Sequence, residues 1–311
     1  MYDVTKSYKD EILKLISTTH ETKDVSVKNG IIVKKFNFPE ACSTDGVGTK
    51  GVYHWQQRSF RNAVLDALAM NLNDLVMSRA RAYKLQNHLI LPEDDRESIL
   101  EIIKNFVNEC KKRNIAITGG ETSIHDNING MDISVTIDGL IENPRKNKFE
   151  SGDILVGIKS NGLHSNGFTK VRELYGDEFR PEFIEPTLVY SDALLEIGKK
   201  FEIHGMMHIT GGAFSKLKGV LGDNDVLIKP HTLKPKNIFY EIYSKGVSDE
   251  EMYKTFNCGV GFVLGVSKII VHGVVSLLNN AGFKSDIIGE VVSGSGRVLI
   301  DSAFSEKKVV F

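Results

Sequence analysis

Residues 43–50 read Ser-Thr-Asp-Gly-Val-Gly-Thr-Lys, and this run is the most informative stretch of the chain. The glycines at 46 and 48 let the backbone take a positive φ and turn its amides outward, so that anionic oxygens can approach the main chain. Asp45 offers a hard oxygen ligand for Mg²⁺, and Lys50 offers a compact positive charge. The run predicts a polyphosphate-binding loop; the alternative is an ordinary glycine turn with solvated charges.

A buried helix is predicted shortly after this loop, from Phe60 to Met77. The segment lacks Gly and Pro and is apolar on nearly all sides, which indicates burial. Asp66 and Asn73 lie seven residues apart, about two helical turns, and so share one face, with Asp74 somewhat to the side. Because a buried carboxylate needs a partner, this polar stripe predicts a functional or charge-paired site.

A third acidic position follows a short β-type run at residues 115–118. Gly119 and Gly120 come directly after the run and precede Glu121. This order predicts that Glu121 lies at the end of a strand, where open α/β folds bind ligands. Acids on three separate elements therefore predict a site for a divalent metal and a nucleotide.

Two further glycine turns precede predicted helices in the second half of the chain. Residues 162–167 lead into a helix predicted over 165–175, which Ser165 or Asn166 would cap. Residues 208–212 lead into a helix predicted over 214–220. Because helix N-termini present free amides to anions, both turns are candidate anion sites; the second predicts a cradle for a sugar phosphate, with a plain left-handed turn as the alternative.

Length and composition set the class of protein. At 311 residues the chain predicts two domains, with the boundary in the polar, proline-marked segment 142–152. A formal net charge of −1 with 25% charged residues argues against a basic nucleic-acid-binding face. The 3 cysteines are far apart, which argues against zinc or a disulfide framework and favours a reducing cytoplasm. The apolar stretch 260–278 is interrupted by Lys and His and predicts a strand followed by a buried helix, so no membrane partner is expected.

The motifs together resemble the aminoimidazole ribonucleotide synthetase family, whose members are phosphoribosylformylglycinamidine cyclo-ligases. Three runs resemble the ATP-binding half of that family: residues 44–50, 73–74 and 119–122. Other ATP-using families share parts of this pattern: selenophosphate synthetase, thiamine-phosphate kinase, formylglycinamidine ribonucleotide synthetase and the hydrogenase maturation dehydratase. The second-half matches are specific to the cyclo-ligase: residues 162–168, 185–190, 208–212, 250–261 and 288–292.

The resemblance implies a two-domain α/β (α+β) fold: an N-terminal ATP- and metal-binding domain over 1–145, whose sheet pairs in a dimer barrel, and a C-terminal α/β substrate-binding domain over 146–311. It implies an ATP- and Mg²⁺-dependent ring closure of formylglycinamidine ribonucleotide by a cytoplasmic homodimer that binds a small nucleotide substrate. The implied ATP-binding residues are Asp45, Gly46, Gly48, Thr49, Lys50, Asp66, Asn73, Gly119, Gly120, Glu121 and Thr122. The implied metal ligands are Asp45, Asp74 and Glu121; the implied catalytic residues are Lys50, Asp74 and His164; the implied substrate-phosphate residues are Asn166, Thr210, Gly211 and Gly212.

The chain departs from the family pattern around the nucleotide pocket. The family has a glycine-rich loop where residues 25–32 contain one glycine, and Gly-Ala-Glu-Pro where residues 79–82 read Arg-Ala-Arg-Ala. Arg79 and Arg81 would either pair with phosphate or solvate a helix end. Ala213 stands where a third glycine is usual. These changes keep two alternatives open: a diverged ATP-dependent enzyme of the same fold, and a non-catalytic nucleotide-binding homologue.

Overall fold

The computed structural model describes the backbone of residues 2–3 and all of residues 7–311. The chain divides into two compact units, with the division between Pro144 and Arg145. This division lies inside the polar segment 142–152. None of the helices in the described residues combines the length and the apolar character needed to cross a membrane.

The first unit is built on a mixed sheet with helices packed against it. Its strands are β1 (Tyr2–Asp3), β2 (Val25–Lys28), β3 (Ile31–Lys34), β4 (Glu40–Gly46), β5 (Arg81–Leu91), β6 (Ala116–Ile124) and β7 (Asp132–Leu140). Its α-helices are α1 (Lys9–Ser17), α2 (Gly51–Gln56), α3 (Phe60–Met77) and α4 (Arg96–Lys112). The main sheet has the order β1-β6-β5-β7-β4, and β2 pairs with β3 in a separate hairpin.

Side-chain alternation gives the main sheet of the first unit one apolar and one polar face. Leu85 and Leu89 on β5 and Ile133 on β7 are buried, and α3 packs on β4 and β7 while α4 packs on β6. The intervening residues, such as Gln86 and His88, are polar and partly or fully exposed. Since successive side chains of a strand point to opposite faces, the helices cover one face and the polar side chains line the other.

The second unit contains a larger mixed sheet in the order β14-β13-β10-β12-β8-β11-β9. Its strands are β8 (Ile154–Lys159), β9 (Gly205–His208), β10 (Asn224–Ile228), β11 (Val260–Val266), β12 (Ser285–Ser293), β13 (Val298–Asp301) and β14 (Lys308–Val310). Its α-helices are α5 (Phe168–Tyr175), α6 (Ser191–Gly198), α7 (Lys218–Leu221), α8 (Asn237–Ser244), α9 (Asp249–Thr255) and α10 (Val271–Asn280). Strand β11 is buried along its whole length, in agreement with its apolar sequence.

Several sequence predictions of secondary structure are confirmed. Helix α3 has the predicted bounds, and the segment 260–278 forms β11 and α10. Apolar residues at 99, 102, 103, 106 and 110 predict a helix over 97–113, and α4 lies one residue from those bounds. Two helix predictions in the second unit are wrong in detail. Helix α5 begins only at Phe168, because Gly167 at φ +77° is left-handed and no side chain caps the helix. The segment predicted as one helix over 214–220 is a 3₁₀ turn, Ala213–Leu217, followed by the short α7.

Candidate active site

The glycine loop of the first unit joins the end of β4 to a 3₁₀ turn, Gly48–Lys50, that leads into α2. Gly48 has φ +60°, which confirms the predicted left-handed backbone there, but the prediction is wrong for Gly46, which ends β4 without a positive φ. The Gly48 amide donates to Asp132 Oδ1 at 3.0 Å, and Asp45 Oδ1 accepts from the Gly46 amide at 2.7 Å. The carboxylate of Asp132 was not predicted from the sequence, because it starts a strand and belongs to no motif. Two acids therefore hold the amides of this loop.

Lys50 lies inside the first unit and not on its surface. Its side chain is fully buried, and its Nζ is 2.8 Å from Asp66 Oδ2. The same carboxylate oxygen is 2.8 Å from His54 Nε2, and His54 Nδ1 is 2.7 Å from Ser59 Oγ. Asp66 is thus the charge partner of Lys50. This confirms the prediction that a buried carboxylate on α3 would have a partner. The sequence reasoning missed His54, although it lies on α2 four residues after Lys50, about one helical turn.

Burial and charge act in opposite directions on this cluster. Burial alone would raise the pKa of Asp66, but Lys50 and His54 hold the pKa of that carboxyl well below its usual range. Burial lowers the pKa of His54 in spite of the neighbouring carboxylate. His54 is therefore neutral at physiological pH, so its Nε2–H donates to Asp66 and its Nδ1 accepts from the Ser59 hydroxyl. The cluster fixes the segment after the glycine loop to α3.

The remaining predicted residues of α3 and β6 differ in exposure. Asn73 is fully buried, Thr122 is buried, and Asp74 is half-buried, which agrees with the predicted offset of Asp74 from the stripe. Asn71 lies one turn before Asp74 and donates through Nδ2 to the carbonyl of Asp45 at 3.2 Å. This contact places the C-terminal part of α3 beside the end of β4.

The predicted glycine turn at residues 119–120 is wrong. Strand β6 continues through both glycines to Ile124, and neither glycine has a positive φ. The register shows why: β6 pairs with β5 from Ala116 to Ile124, with an irregularity near Gly119 that does not end the strand. Glu121 is exposed on β6. It lines an open cavity of about 360 Å³ on the polar face of the sheet, together with Gln86, Asn87, His88, Gly119, Gly120, Ser134, Val135 and Thr136.

Strand register separates two of the three predicted metal ligands. Glu121 pairs with His88, His88 with Ser134, and Ser134 with Gly46, next to Asp45. Three strand spacings amount to roughly 14 Å, whereas Mg²⁺ binds its ligands at about 2.1 Å. In the part of the chain that the structure describes, no group of three or more His, Cys, Asp or Glu side chains is placed to hold a metal ion. The structure does not bring the predicted ligands together as one preformed cluster.

The second glycine turn lies between β9 and the 3₁₀ turn Ala213–Leu217. Gly212 has φ +80°, and Ala213 has φ +40°, a backbone that L-residues rarely adopt. Thr210 is buried at the start of the turn, and Lys216 Nζ donates to Thr210 Oγ1 at 2.9 Å. A Cβ on Gly211 would lie 3.4 Å from Asn166 Oδ1. The structure therefore brings together the four predicted substrate-phosphate residues and adds a lysine that the sequence reasoning did not identify.

The loop at residues 162–167 is tied to the core by Asn257. Its Nδ2 donates to the carbonyl of Gly162 at 2.8 Å, and its Oδ1 accepts from Ser160 Oγ at 2.7 Å and from the Gly259 amide at 3.0 Å. These bonds use both ends of the side-chain amide, so Asn257 has a structural role in holding this loop. His164 has φ +61° and is buried, with its ring 6.1 Å from that of Tyr190.

Two departures from the family pattern have structural explanations. Residues 25–32 form the β2–β3 hairpin, with Asn29 and Gly30 at positive φ in its turn. Arg81 donates to both carboxylate oxygens of Asp24, at 2.6 and 3.1 Å, and to Glu142 at 3.2 Å. Arg81 is therefore charge-paired within the first unit.

Comparison with known proteins assigns the family. The model described as AIR synthase related protein, N-terminal domain, matches residues 35–141, and that of the corresponding C-terminal domain matches residues 150–302. The chain belongs to the AIR synthase related family. A phosphoribosylformylglycinamidine cyclo-ligase of Saccharolobus solfataricus is 34% identical over 94% of this chain and 91% of its own length. One of Pyrococcus furiosus is 35% identical over 85% of this chain and 82% of its own length.

Two solved structures share the fold of this chain. The hydrogenase maturation protein HypE in complex with ATP superimposes with a TM-score of 0.71 at 15% identity, covering 99% of this chain and 95% of its own. Thiamine-monophosphate kinase of Stenotrophomonas maltophilia gives a TM-score of 0.68 at 17% identity, covering 98% and 99%. The fold class predicted from the sequence is confirmed.

Proposed function

We propose that the chain is an ATP-dependent cyclo-ligase that converts formylglycinamidine ribonucleotide to aminoimidazole ribonucleotide in purine biosynthesis. The observation that carries this proposal is the 34% identity to a cyclo-ligase over 94% of the chain. The geometry adds support, because the second-half motifs that resemble the cyclo-ligase lie together: Asn166 lies beside Gly211, and Asn257 holds the carbonyl of Gly162.

The reaction has two steps. The formyl oxygen of the substrate attacks the γ-phosphorus of ATP, and ADP leaves, which gives an iminophosphate. The amidine nitrogen then attacks the activated carbon, inorganic phosphate leaves with the former formyl oxygen, and loss of a proton completes the imidazole ring. The protein chiefly positions the reactants and offsets charge on the phosphoryl group, and such charge-stabilising groups are each worth roughly 3 to 4 kcal/mol.

The first unit is the proposed ATP-binding unit. Its glycine loop would offer backbone amides to the phosphates once these displace the carboxylates that hold the Gly46 and Gly48 amides. The buried pair of Lys50 and Asp66, whose charges offset each other, fixes the segment that follows the loop. The crystal structure of HypE, which has this fold, was determined in complex with ATP. Magnesium usually binds to one or two carboxylates together with phosphates and water. Asp45 and Asp74 fit that role, since Asn71 connects the two elements that carry them; Glu121 would contact another part of the nucleotide.

The second unit is the proposed substrate-binding unit. Asn166, Thr210, Gly211 and Gly212 would hold the phosphate of the nucleotide substrate. His164 would act close to the reacting amide.

We further propose a homodimer formed through the first unit, since closed two-fold dimers are the commonest oligomers. A monomer in sedimentation at micromolar concentration would contradict it. The free state of Cys42, Cys110 and Cys258 supports a reducing, cytoplasmic location.

The test is ADP release with formylglycinamidine ribonucleotide compared with other amide and acid acceptors. We expect ADP release with formylglycinamidine ribonucleotide and with none of the other acceptors, together with formation of the imidazole product. Asp45→Asn should lose most of the turnover at limiting Mg²⁺, because the ion would lose a charged ligand, while the thermal unfolding curve stays near that of the wild type. Turnover with another acceptor would support a diverged enzyme, and ATP binding without ADP release would support a non-catalytic homologue.

A further inference from the structure

Lys216 runs along the glycine turn of the second unit. Its Nζ donates to Thr210 Oγ1 at 2.9 Å, and its Cγ lies 3.2 Å from the place that a Cβ on Gly212 would take. Lys216 is half-buried, whereas Gly211 and Gly212 are exposed. The ammonium is therefore held at the start of a turn whose backbone is open to solvent.

The charge of Lys216 is not balanced by a carboxylate. Among the residues that the structure describes, its hydrogen-bond partner is the neutral hydroxyl of Thr210, and no ion pair involves it. Lys236, which is also half-buried, differs from Lys216 because its Nζ contacts both carboxylate oxygens of Glu185, at 3.0 and 2.8 Å. Since a partly desolvated charge favours an opposite charge nearby, this position suits an anionic ligand.

A second donor beside the same turn lacks an acceptor. The Nδ2 atom of Asn166 is buried and has no hydrogen-bond partner within the described residues. The other end of this amide, Oδ1, faces Gly211. Leaving a buried donor unsatisfied costs about 1 to 3 kcal/mol, so an acceptor that reaches Nδ2 would stabilise the turn. An ammonium, an amide donor and exposed glycine backbone together match the chemistry of a phosphate monoester.

We propose that Lys216 is a further substrate-binding residue, which supplies the cation for the phosphate monoester of the nucleotide substrate. This inference rests on the proposed function for the identity of the substrate, but the anion site itself does not. Lysine acts here as a point charge on a flexible stem, so its Nζ can turn from Thr210 Oγ1 to a phosphate oxygen at the mouth of the turn.

The test is calorimetric binding of ribose 5-phosphate to the full chain and to three variants. Lys216→Met keeps the aliphatic stem and should weaken binding at least about tenfold, since a charged hydrogen bond is lost. Lys216→Arg keeps the charge and should recover most of the affinity. Lys218→Met removes an exposed lysine two residues away and should change the affinity less than about twofold, as expected for a solvated charge.

The results separate this inference from the proposed function. No binding of ribose 5-phosphate by the wild type, or equal affinity of the wild type and Lys216→Met, would overturn the assignment even if the wild type closes the imidazole ring. Conversely, the expected binding pattern without ring closure would support the phosphate site and contradict the cyclo-ligase activity. If both hold, Lys216→Met should raise the KM for the nucleotide substrate about tenfold and leave the KM for ATP unchanged.

Discussion

Lys50 in the first unit and Lys216 in the second both follow a glycine at positive φ by a few residues, yet their surroundings differ. Lys50 is fully buried and paired with the carboxylate of Asp66. Lys216 is half-buried and bound to a neutral hydroxyl. The first lysine has its counter-charge within the chain, whereas the second does not.

This difference teaches how a lysine beside a glycine turn is to be interpreted. A sequence motif gives the spacing between glycine and lysine, but the counter-charge comes from an element elsewhere in the chain. Asp66 lies on α3, outside the loop motif, and it makes Lys50 part of the framework that holds the loop. The lysine without a carboxylate is the better candidate for direct contact with a ligand.

The largest expected effect is on stability, from Lys50→Met. The variant leaves the buried carboxylate of Asp66 without its ammonium, which should lower the free energy of unfolding by about 3 to 5 kcal/mol. Urea denaturation measures the loss. Lys216→Met should change stability by less than about 1 kcal/mol, because no buried carboxylate loses its partner. If both variants lost the same stability, the distinction between the two lysines would be wrong.

A smaller effect is expected from His54→Gln, which sharpens the description of the Lys50 cluster. Loss of the imidazole should cost about 1 to 2 kcal/mol at pH 7.5, because it disturbs the hydrogen bonds to Asp66 and Ser59. The pKa of His54 is lowered in the fold, so below pH 6.5 the unfolded chain binds more protons than the folded one. The contribution of His54 to stability is therefore present above pH 6.5 and is lost as the pH falls.

The readout is the difference in unfolding free energy between the wild type and His54→Gln, followed from pH 7.5 to pH 5. We expect this difference to shrink on acidification. A difference that grows instead would mean that the folded state carries a protonated His54.

The smallest effects on stability are expected in the backbone of the two glycine turns, at Ala213 and at Gly48. Ala213 has φ +40°, and relief of this strain by Ala213→Gly should raise stability by about 0.5 to 1 kcal/mol after the entropy of glycine in the unfolded chain is included. Gly48→Ala is the matched control. No atom lies within 4 Å of the added Cβ, so it should cost about 1 kcal/mol through backbone strain alone. Differential scanning calorimetry of both variants checks the opposite signs.

The sequence predicted those features of the fold that depend on local patterns. The bounds of α3 follow from an apolar segment without Gly or Pro, and those of α4 follow within one residue from the helical periodicity of its apolar residues. The prediction of a turn at Gly119 and Gly120 was wrong, because pairing with β5 keeps the backbone extended there. Tertiary hydrogen bonds there override the preference of glycine for turns.

The candidate site was predicted in part for the same reason. The left-handed glycine at 48 and the burial of Asp66 and Asn73 follow from the sequence. Asp132 could not be predicted, because it reaches the loop through strand pairing, whereas the position of His54 one helical turn after Lys50 was visible in the sequence. The separation of Asp45 from Glu121 is visible only in the register of the sheet.

The hydrogen bond between the Gly48 amide and Asp132 has a consequence for selectivity. In the proposed nucleotide site, a phosphate that approaches this amide would meet a carboxylate that already accepts its hydrogen. Binding there is thus an exchange of one anion for another, and its free energy is the difference between the two. A weakly charged or neutral compound gains little from such an exchange, whereas a polyphosphate that arrives with its own cation can displace the carboxylate and leave it facing positive charge. In the proposed site, this carboxylate would therefore favour polyphosphates with a bound cation over neutral compounds.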